Sequence, residues 1–281
     1  MRSEVMNKRV SAVLVIAALT LVFCSGSFAA ALDAFKGEKG EIKIAGGTAH
    51  IPVMKEAAAR IMGMNPDIQI SIAGGGSGVG IKQVGEGLVD IGNSGRTPTE
   101  DEVKQYGLQM FKWAIDGVAI VVNPANKVRS LSHDQAAAIF AGKIANWKEV
   151  GGSDQRINLY TRDEASGTRE VFWEKALKKG DIAATANVIV SNGAMKGAVS
   201  QDSYGIGYVS VGHIDESVAP VAFDGIEPSM QNVKDGKYPV ARGLFSNTKG
   251  EPAGLVKKII DYLFSEEGQQ IVVEKGFISV R

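Results

Sequence analysis

The chain is 281 residues long, and its 31 basic and 31 acidic residues balance, which gives no electrostatic reason to expect nucleic acid or an acidic membrane surface as a partner. A single cysteine, Cys24, excludes a disulfide scaffold. The fold must rest on a hydrophobic core, which a chain of this size can build as one large or two modest domains.

Arg2, Lys8 and Arg9 precede a nearly unbroken apolar run over residues 10–23, and small residues follow at Ser27, Ala29, Ala30 and Ala31. That is the layout of a secretory signal peptide, here residues 1–31, and it predicts a mature chain that works in the periplasm or elsewhere outside the cytoplasm. The run is shorter than the ~20 residues of a membrane span, and no later stretch approaches that length. Cys24 follows Phe23 rather than a small residue, so cleavage near Ala29 to Ala31 is favoured over lipid attachment at Cys24. The mature chain then keeps no cysteine for a nucleophile or a thiolate metal site.

Beyond the leader, strand and helix patterns alternate. A strand is predicted over residues 41–45, then a helix with Val53, Ala57 and Ile61 on one face, then a strand in which Ile68, Ile70 and Ile72 alternate. Thr99 with Glu102, and Ser132 with Gln135, have the spacing of capping boxes and mark two helix starts, the second continuing through Ala137, Ile139 and Phe140. Residues 118–122, 157–160 and 205–211 read as further strands. Helical spacings recur at Val171, Phe172 and Leu177 and at Val256, Ile259, Ile260 and Leu263. Such alternation argues for α/β layers with mostly parallel sheets.

Three segments rich in glycine and hydroxyls each lie between a predicted strand and a predicted helix. They are Gly46-Gly47-Thr48-Ala49, Gly74-Gly75-Gly76-Ser77-Gly78 and Arg162-Asp163-Glu164-Ala165-Ser166-Gly167-Thr168. At such a junction free backbone N–H groups and the positive end of a helix dipole face the loop, a ready place for an oxyanion. Thr48, Ser77, Ser166 and Thr168 add hydroxyl donors and Arg162 adds a charge. One such turn is ordinary helix capping; three, with an arginine beside one of them, point to a common anion. Catalytic templates fail: neither Ser77 nor Ser166 lies in G-x-S-x-G, and the chain has no G-x-x-x-x-G-K-[ST] loop and no G-x-G-x-x-G at a strand-to-helix turn. His50, His133 and His213 are scattered without a second ligand at metal spacing and read as surface or capping residues, His50 being nearest the first loop. No catalytic residue, metal or cofactor is expected.

AGGTAHIP, GGGSGVGIKQV, VDIGNSGR, AIDGVAIVVNP, LSHDQAAAIFAGKIANWKEVGG, RDEASGTREVF and GIGYVSV follow one another along nearly all of the mature chain. In this order they resemble the phosphate-binding proteins of bacterial high-affinity phosphate ABC transporters, which are similar to type II periplasmic binding proteins. RDEASGTREVF and IFAGKIANWKEVGG are the specific motifs; Phe140 and Trp147 in the latter read as packing residues. The resemblance implies an α/β, two-lobed clamshell, each lobe a mostly parallel sheet flanked by helices, with two hinge strands near residues 118–122 and 240–245. Lobe one would comprise residues 32–123 and 242–281, and lobe two residues 124–241. It implies an extracytoplasmic, monomeric solute-binding protein that captures inorganic phosphate in the interlobe cleft and delivers it to an ABC permease and its ATPase.

Carried onto this chain, the resemblance makes Thr48 and Ala49 contacts from the first loop, Ser77 from the second, and Arg162, Ser166, Gly167 and Thr168 from the third, with Glu164 placed to hold the Arg162 guanidinium. One position departs from the family. Where the family has an aspartate that accepts the phosphate proton, this chain has Gly95 followed by Arg96. Asp116 is the candidate replacement, against a plain reading as a turn cap with Gly117; Arg96 and Arg169 are either further cations or surface charges. Rival readings are a binding protein for sulfate, molybdate or tungstate, an exported phosphatase or serine hydrolase, and a sensor or adhesion protein on the same fold.

Overall fold

The computed structural model describes residues 28–281. Residues 1–27 of the expected signal peptide, Cys24 among them, lie outside the described residues, whereas the expected cleavage site near Ala29 to Ala31 falls within α1 (Phe28–Asp33). Among the described residues no helix is long and apolar enough to cross a membrane.

The first part of the chain alternates helix and strand: α1 (Phe28–Asp33), β1 (Gly40–Gly46), α2 (Ile51–Met64), β2 (Ile68–Gly75), α3 (Ser77–Gly85), β3 (Ile91–Ser94), α4 (Glu100–Tyr106) and the long strand β4 (Leu108–Val122). The middle part contains β5 (Ser130–Leu131), α5 (His133–Phe140), β6 (Asn158–Arg162), α6 (Gly167–Lys175), β7 (Asn187–Ile189), α7 (Asn192–Gln201), β8 (Gly205–Ser210), β9 (Ala219–Pro220), β10 (Ala222–Phe223) and α8 (Met230–Lys234). The chain then returns through β11 (Ala241–Lys249), α9 (Gly254–Phe264), α10 (Glu266–Glu274) and β12 (Ile278–Ser279).

Both predicted capping boxes close reciprocally, at Thr99 with Glu102 on α4 and at Ser132 with Gln135 on α5. Each satisfies two backbone donors that a helix start leaves free. The C-terminal helical spacing resolves into two helices, because Ser265 ends α9 and caps α10 through its hydroxyl, which accepts from Gly268 N.

The strand order is β2-β1-β3-β11-β4-β8-β6-β7, with β9 and β12 also on β4. Pairing is parallel among β1, β2 and β3 and among β6, β7 and β8, and antiparallel where β11 and β4 run through the centre. One core gathers Ile42, Ile44, Val53, Ile61, Trp113, Leu244, Ile260 and Phe277; the other gathers Val118, Ile120, Phe140, Trp147, Phe172, Tyr208 and Val240. Two cores on either side of a shared central strand make a two-lobed α/β molecule. Phe140 and Trp147 are fully buried in the second core, as packing residues.

The strand β4 carries the division. Its residues from Leu108 to Gly117 pair with β11, and from Val118 to Val122 with β8. The sequence reading ends lobe one near residue 123 with a hinge strand over residues 118–122, and Val118, Ile120 and Val122 of that strand pack in the second core. The crossing lies at Gly117 and Val118, where Val118 N donates to Val240 O at 2.8 Å.

Candidate functional site

All three glycine-rich junctions open onto one cavity at the seam between the lobes. Thr48, Ala49 and His50 form a single helical turn that runs into α2, Ser77 is the first residue of α3, and Ser166 caps α6, of which Gly167 and Thr168 are the first residues. The starts of three helices of nine or more residues therefore face one point, where their free N–H groups and dipoles favour negative charge. The cavity is small, about 10 Å³, and is lined by Gly47, Thr48, Ala49, His50, Gly76, Ser77, Gly95, Arg162, Ser166, Gly167, Thr168 and Arg242. Seven of the eight residues expected from sequence are on that wall.

The two lobes meet closely there. Gly78 N donates to Ala165 O at 3.0 Å across the seam. A Cβ on Gly76, whose φ is +90°, would lie 2.5 Å from Ala165 O, so a larger residue would hold the lobes apart. Asn192, at the start of α7, donates to Thr48 Oγ1 from its backbone at 3.2 Å and its side chain at 3.0 Å, tying the third loop's lobe to the first loop.

Arg162 leaves the end of β6 and is 2 % exposed. Its Nε donates to Ile189 O at 2.8 Å and its Nη2 to Val190 O at 3.1 Å, while Nη1 is buried with no partner among the described residues. An unpartnered guanidinium nitrogen costs free energy unless a ligand meets it. Glu164 does not hold this side chain: it is exposed, and the nearer carboxylate is that of Asp163, 3.9 Å from Nη2. The backbone carbonyls at the end of β7 fix the guanidinium instead. Burial draws the Arg162 pKa down, Asp163 and Tyr208 oppose this, and Arg242 lowers it further, as expected where two cations share one space.

Arg242 was not legible as a site residue. It enters from β11, pairs in register with Asp116 on β4, and places Nε 2.8 Å and Nη2 2.7 Å from Asp116 Oδ2. Its Nη1 donates to Thr168 Oγ1 at 3.1 Å and to Gly95 O at 3.3 Å. A Cβ at residue 95 would lie 2.7 Å from that nitrogen, so glycine there is what admits the guanidinium to the wall.

Asp116 itself is fully buried and lies behind Arg242, off the cavity lining. Its Oδ1 accepts from Ser210 Oγ at 2.9 Å and its Oδ2 serves Arg242, so the expected role of a direct acceptor for a ligand proton does not match its position. Burial pushes this carboxyl up, with the Arg242 guanidinium and the Ser210 hydroxyl pulling the other way.

His50 is also fully buried, edge-on to Trp113, and its ring nitrogens lie 3.1 Å from Gly47 O and from Ser94 O. Burial, then the charge of Arg242, lower its pKa to about 3, so the ring is neutral at physiological pH. His213 sits behind the first loop with Nε2 3.3 Å from Thr48 O, and burial lowers its pKa to about 4. His50 occupies the N-cap position of α2 without a side-chain capping bond and lines the cavity, and His213 is half-buried, so of the surface and capping readings only the capping position of His50 is met. Arg96 is off the wall: Nη1 and Nη2 each donate to Glu102 at 2.6 Å and Nε pairs with Glu170 at 2.8 Å, linking α4 to α6 across the seam. Arg169 is likewise off the wall, with Nε buried and without a hydrogen-bond partner among the described residues.

A seam between two α/β lobes that brings donors from both onto one small cavity defines a solute-binding protein of the two-lobed periplasmic type. The sequence matches the PBP superfamily domain over residues 34–267. It is 40% identical over 254 residues to the phosphate-binding protein PstS of Bacillus subtilis (strain 168), covering 88% of this chain and 84% of that protein. A structure with bound phosphate from Clostridium perfringens superposes with a TM-score of 0.82 at 35% identity, covering 86% of this chain and 100% of that one. The ABC-type phosphate transport receptor of Vibrio cholerae does so with a TM-score of 0.69 at 35% identity, covering 84% of this chain and 99% of that one. The chain belongs to the PBP superfamily and, within it, to the family of the phosphate-binding proteins PstS.

Proposed function

We propose that this protein captures inorganic phosphate in the interlobe cavity, outside the cytoplasm, and hands it to a membrane ABC permease and its ATPase, acting as a monomer. The observation that carries the proposal is the convergence of three helix starts, four hydroxyls and the unpartnered Arg162 Nη1 on one closed space. Thr48, Ala49 and Ser77 would bind from the first lobe, and Arg162, Ser166, Gly167 and Thr168 from the second, so closure completes the shell and excludes water. Asp116 would act through Arg242 rather than on the ligand. The relatives named for phosphate binding and phosphate transport support the choice of phosphate over sulfate, molybdate or tungstate.

Binding without chemistry is supported by the same geometry. The cavity, about 10 Å³ as it stands, is nearer in size to a small inorganic anion than to a phosphate ester. Opening would pivot at the crossing near Gly117 and Val240, where the chain passes between lobes without a flexible linker. Calorimetric titration of the mature chain with inorganic phosphate is expected to show one site and no turnover of a chromogenic phosphate ester. Tight sulfate binding that phosphate does not displace, or ester hydrolysis lost in Ser166→Ala, would overturn the reading.

A further inference from the structure

The direction of every hydrogen bond on the cavity wall limits which form of an anion it accepts. A hydroxyl has one proton to give and two lone pairs to receive with. Thr48 Oγ1 already receives from Asn192 N and Asn192 Nδ2. Thr168 Oγ1 receives from Arg242 Nη1 at 3.1 Å and from Asn192 Nδ2 at 3.4 Å. Both threonines have their lone pairs spoken for and can only donate to a ligand. Ser77 Oγ receives from Gly95 N at 2.9 Å and Ser166 Oγ from Arg169 N at 3.2 Å, so each keeps one lone pair. Among the described residues no carboxylate lines the cavity, and two guanidinium groups do.

We infer that the site selects the doubly charged form of its anion, with Arg242, set in place by Asp116, acting as a second anion-binding guanidinium beside Arg162. The inference rests on the phosphate reading above. Singly charged phosphate brings two protons and one negative charge to a wall with two cations and two free hydroxyl lone pairs. Doubly charged phosphate brings one proton, which Ser77 or Ser166 can receive, and leaves three oxygens for the donors. The two lone pairs could receive either number of protons, so charge decides: attraction to the buried Arg162, and to Arg242 beyond its partner Asp116, favours the doubly charged form, which also leaves three oxygens rather than two for the donors of the wall.

The groups facing the cavity leave the ligand as the titrating partner. His50, from the first loop, and His213, behind it, are both held neutral by burial with pKa values of about 3 and about 4. Asp116 on β4 faces Arg242 and Ser210, and Asp163 lies outward of Arg162. Glu170, on the outer side of α6, is paired with Arg96.

The test is calorimetric titration with inorganic phosphate at about pH 8 and about pH 5.5, in buffers of different ionisation enthalpy, with the fold checked by circular dichroism at each pH; the apparent affinity is expected to fall about tenfold per pH unit below the ligand's second ionisation. Near the lower pH, binding should release close to one proton per phosphate. Arg242→Lys, which keeps the charge, is expected to keep this pH profile while binding more weakly. The double variant Asp116→Asn, Arg242→Gln removes both buried charges together and is expected to flatten the profile. Equal affinity at the two pH values without proton release overturns the inference while leaving phosphate binding intact. Absence of phosphate binding near pH 8 overturns both.

Discussion

Replacing Arg162 by alanine tests the site at its most exposed assumption, that a buried guanidinium is held by main chain so that one of its nitrogens can meet an anion. Two of its three nitrogens are committed to Ile189 O and Val190 O, and Nη1 is the free one. Losing one partner from a desolvated charged pair costs about 2 to 5 kcal/mol, which corresponds to a weakening of phosphate binding by roughly 30-fold to several thousandfold. The substitution also strips donors from two carbonyls at the end of β7, a penalty of about 1 to 3 kcal/mol for each that stays buried and dry. Affinity and stability therefore need separate measurement, by calorimetric titration of phosphate and by thermal unfolding of the ligand-free variant. Arg162→Lys is the useful companion: it keeps a charge but not the fork that spans both carbonyls, and should recover part of the affinity. An Arg162→Ala protein that is folded and binds phosphate as tightly as the parent would refute the assignment of the cavity.

Gly76→Ala should weaken phosphate binding at least tenfold, because its Cβ would meet Ala165 O at 2.5 Å across the seam and φ of +90° disfavours any side chain; small-angle scattering with saturating phosphate should show a larger radius of gyration than the parent, and an unchanged one would contradict it. His50 and His213 carry pKa values of about 3 and about 4, below the unfolded value of 6.5. The folded state thus binds fewer protons than the unfolded chain between those values, and each histidine lowers stability as pH falls below 6.5, by up to roughly 1.4 kcal/mol per pH unit. Urea unfolding at about pH 7 and about pH 5 should show the loss, and His213→Gln should reduce the difference; the same difference in parent and variant would remove His213 from the account.

The three loops that line the cavity were legible because each is a local event, a few residues of glycine and hydroxyl between a strand and a helix. What remained hidden was non-local. Asp116 and Arg242 are 126 positions apart and meet only because β4 and β11 pair in the register that sets them opposite each other. A sequence reading that sees Gly95 cannot see that its missing side chain makes room for Arg242. Asp116 was read as a candidate proton acceptor or a turn cap with Gly117, whereas its carboxylate faces Arg242 and Ser210. Glu164 failed for a related reason: the groups that hold Arg162 are carbonyls from β7, and a backbone carbonyl leaves no mark in sequence. The first ten residues of β4 were missed because Lys112 and Gly117 interrupt the apolar pattern, whereas pairing on β11 supplies the stabilisation that composition does not advertise.

Gly117 and Ala241 are register partners on neighbouring strands, so the whole second lobe is an excursion inserted between two adjacent positions of the first. The strand that closes the first lobe's sheet, β11, sits between β3 and β4 yet is among the last parts of the chain to be made. Until it emerges, the first lobe has an open slot at the middle of its sheet, while the second lobe already has its own strands and most of its core. During synthesis the second lobe should accordingly acquire protection from hydrogen exchange first, and a nascent chain truncated before residue 241 should leave the first lobe without a native sheet.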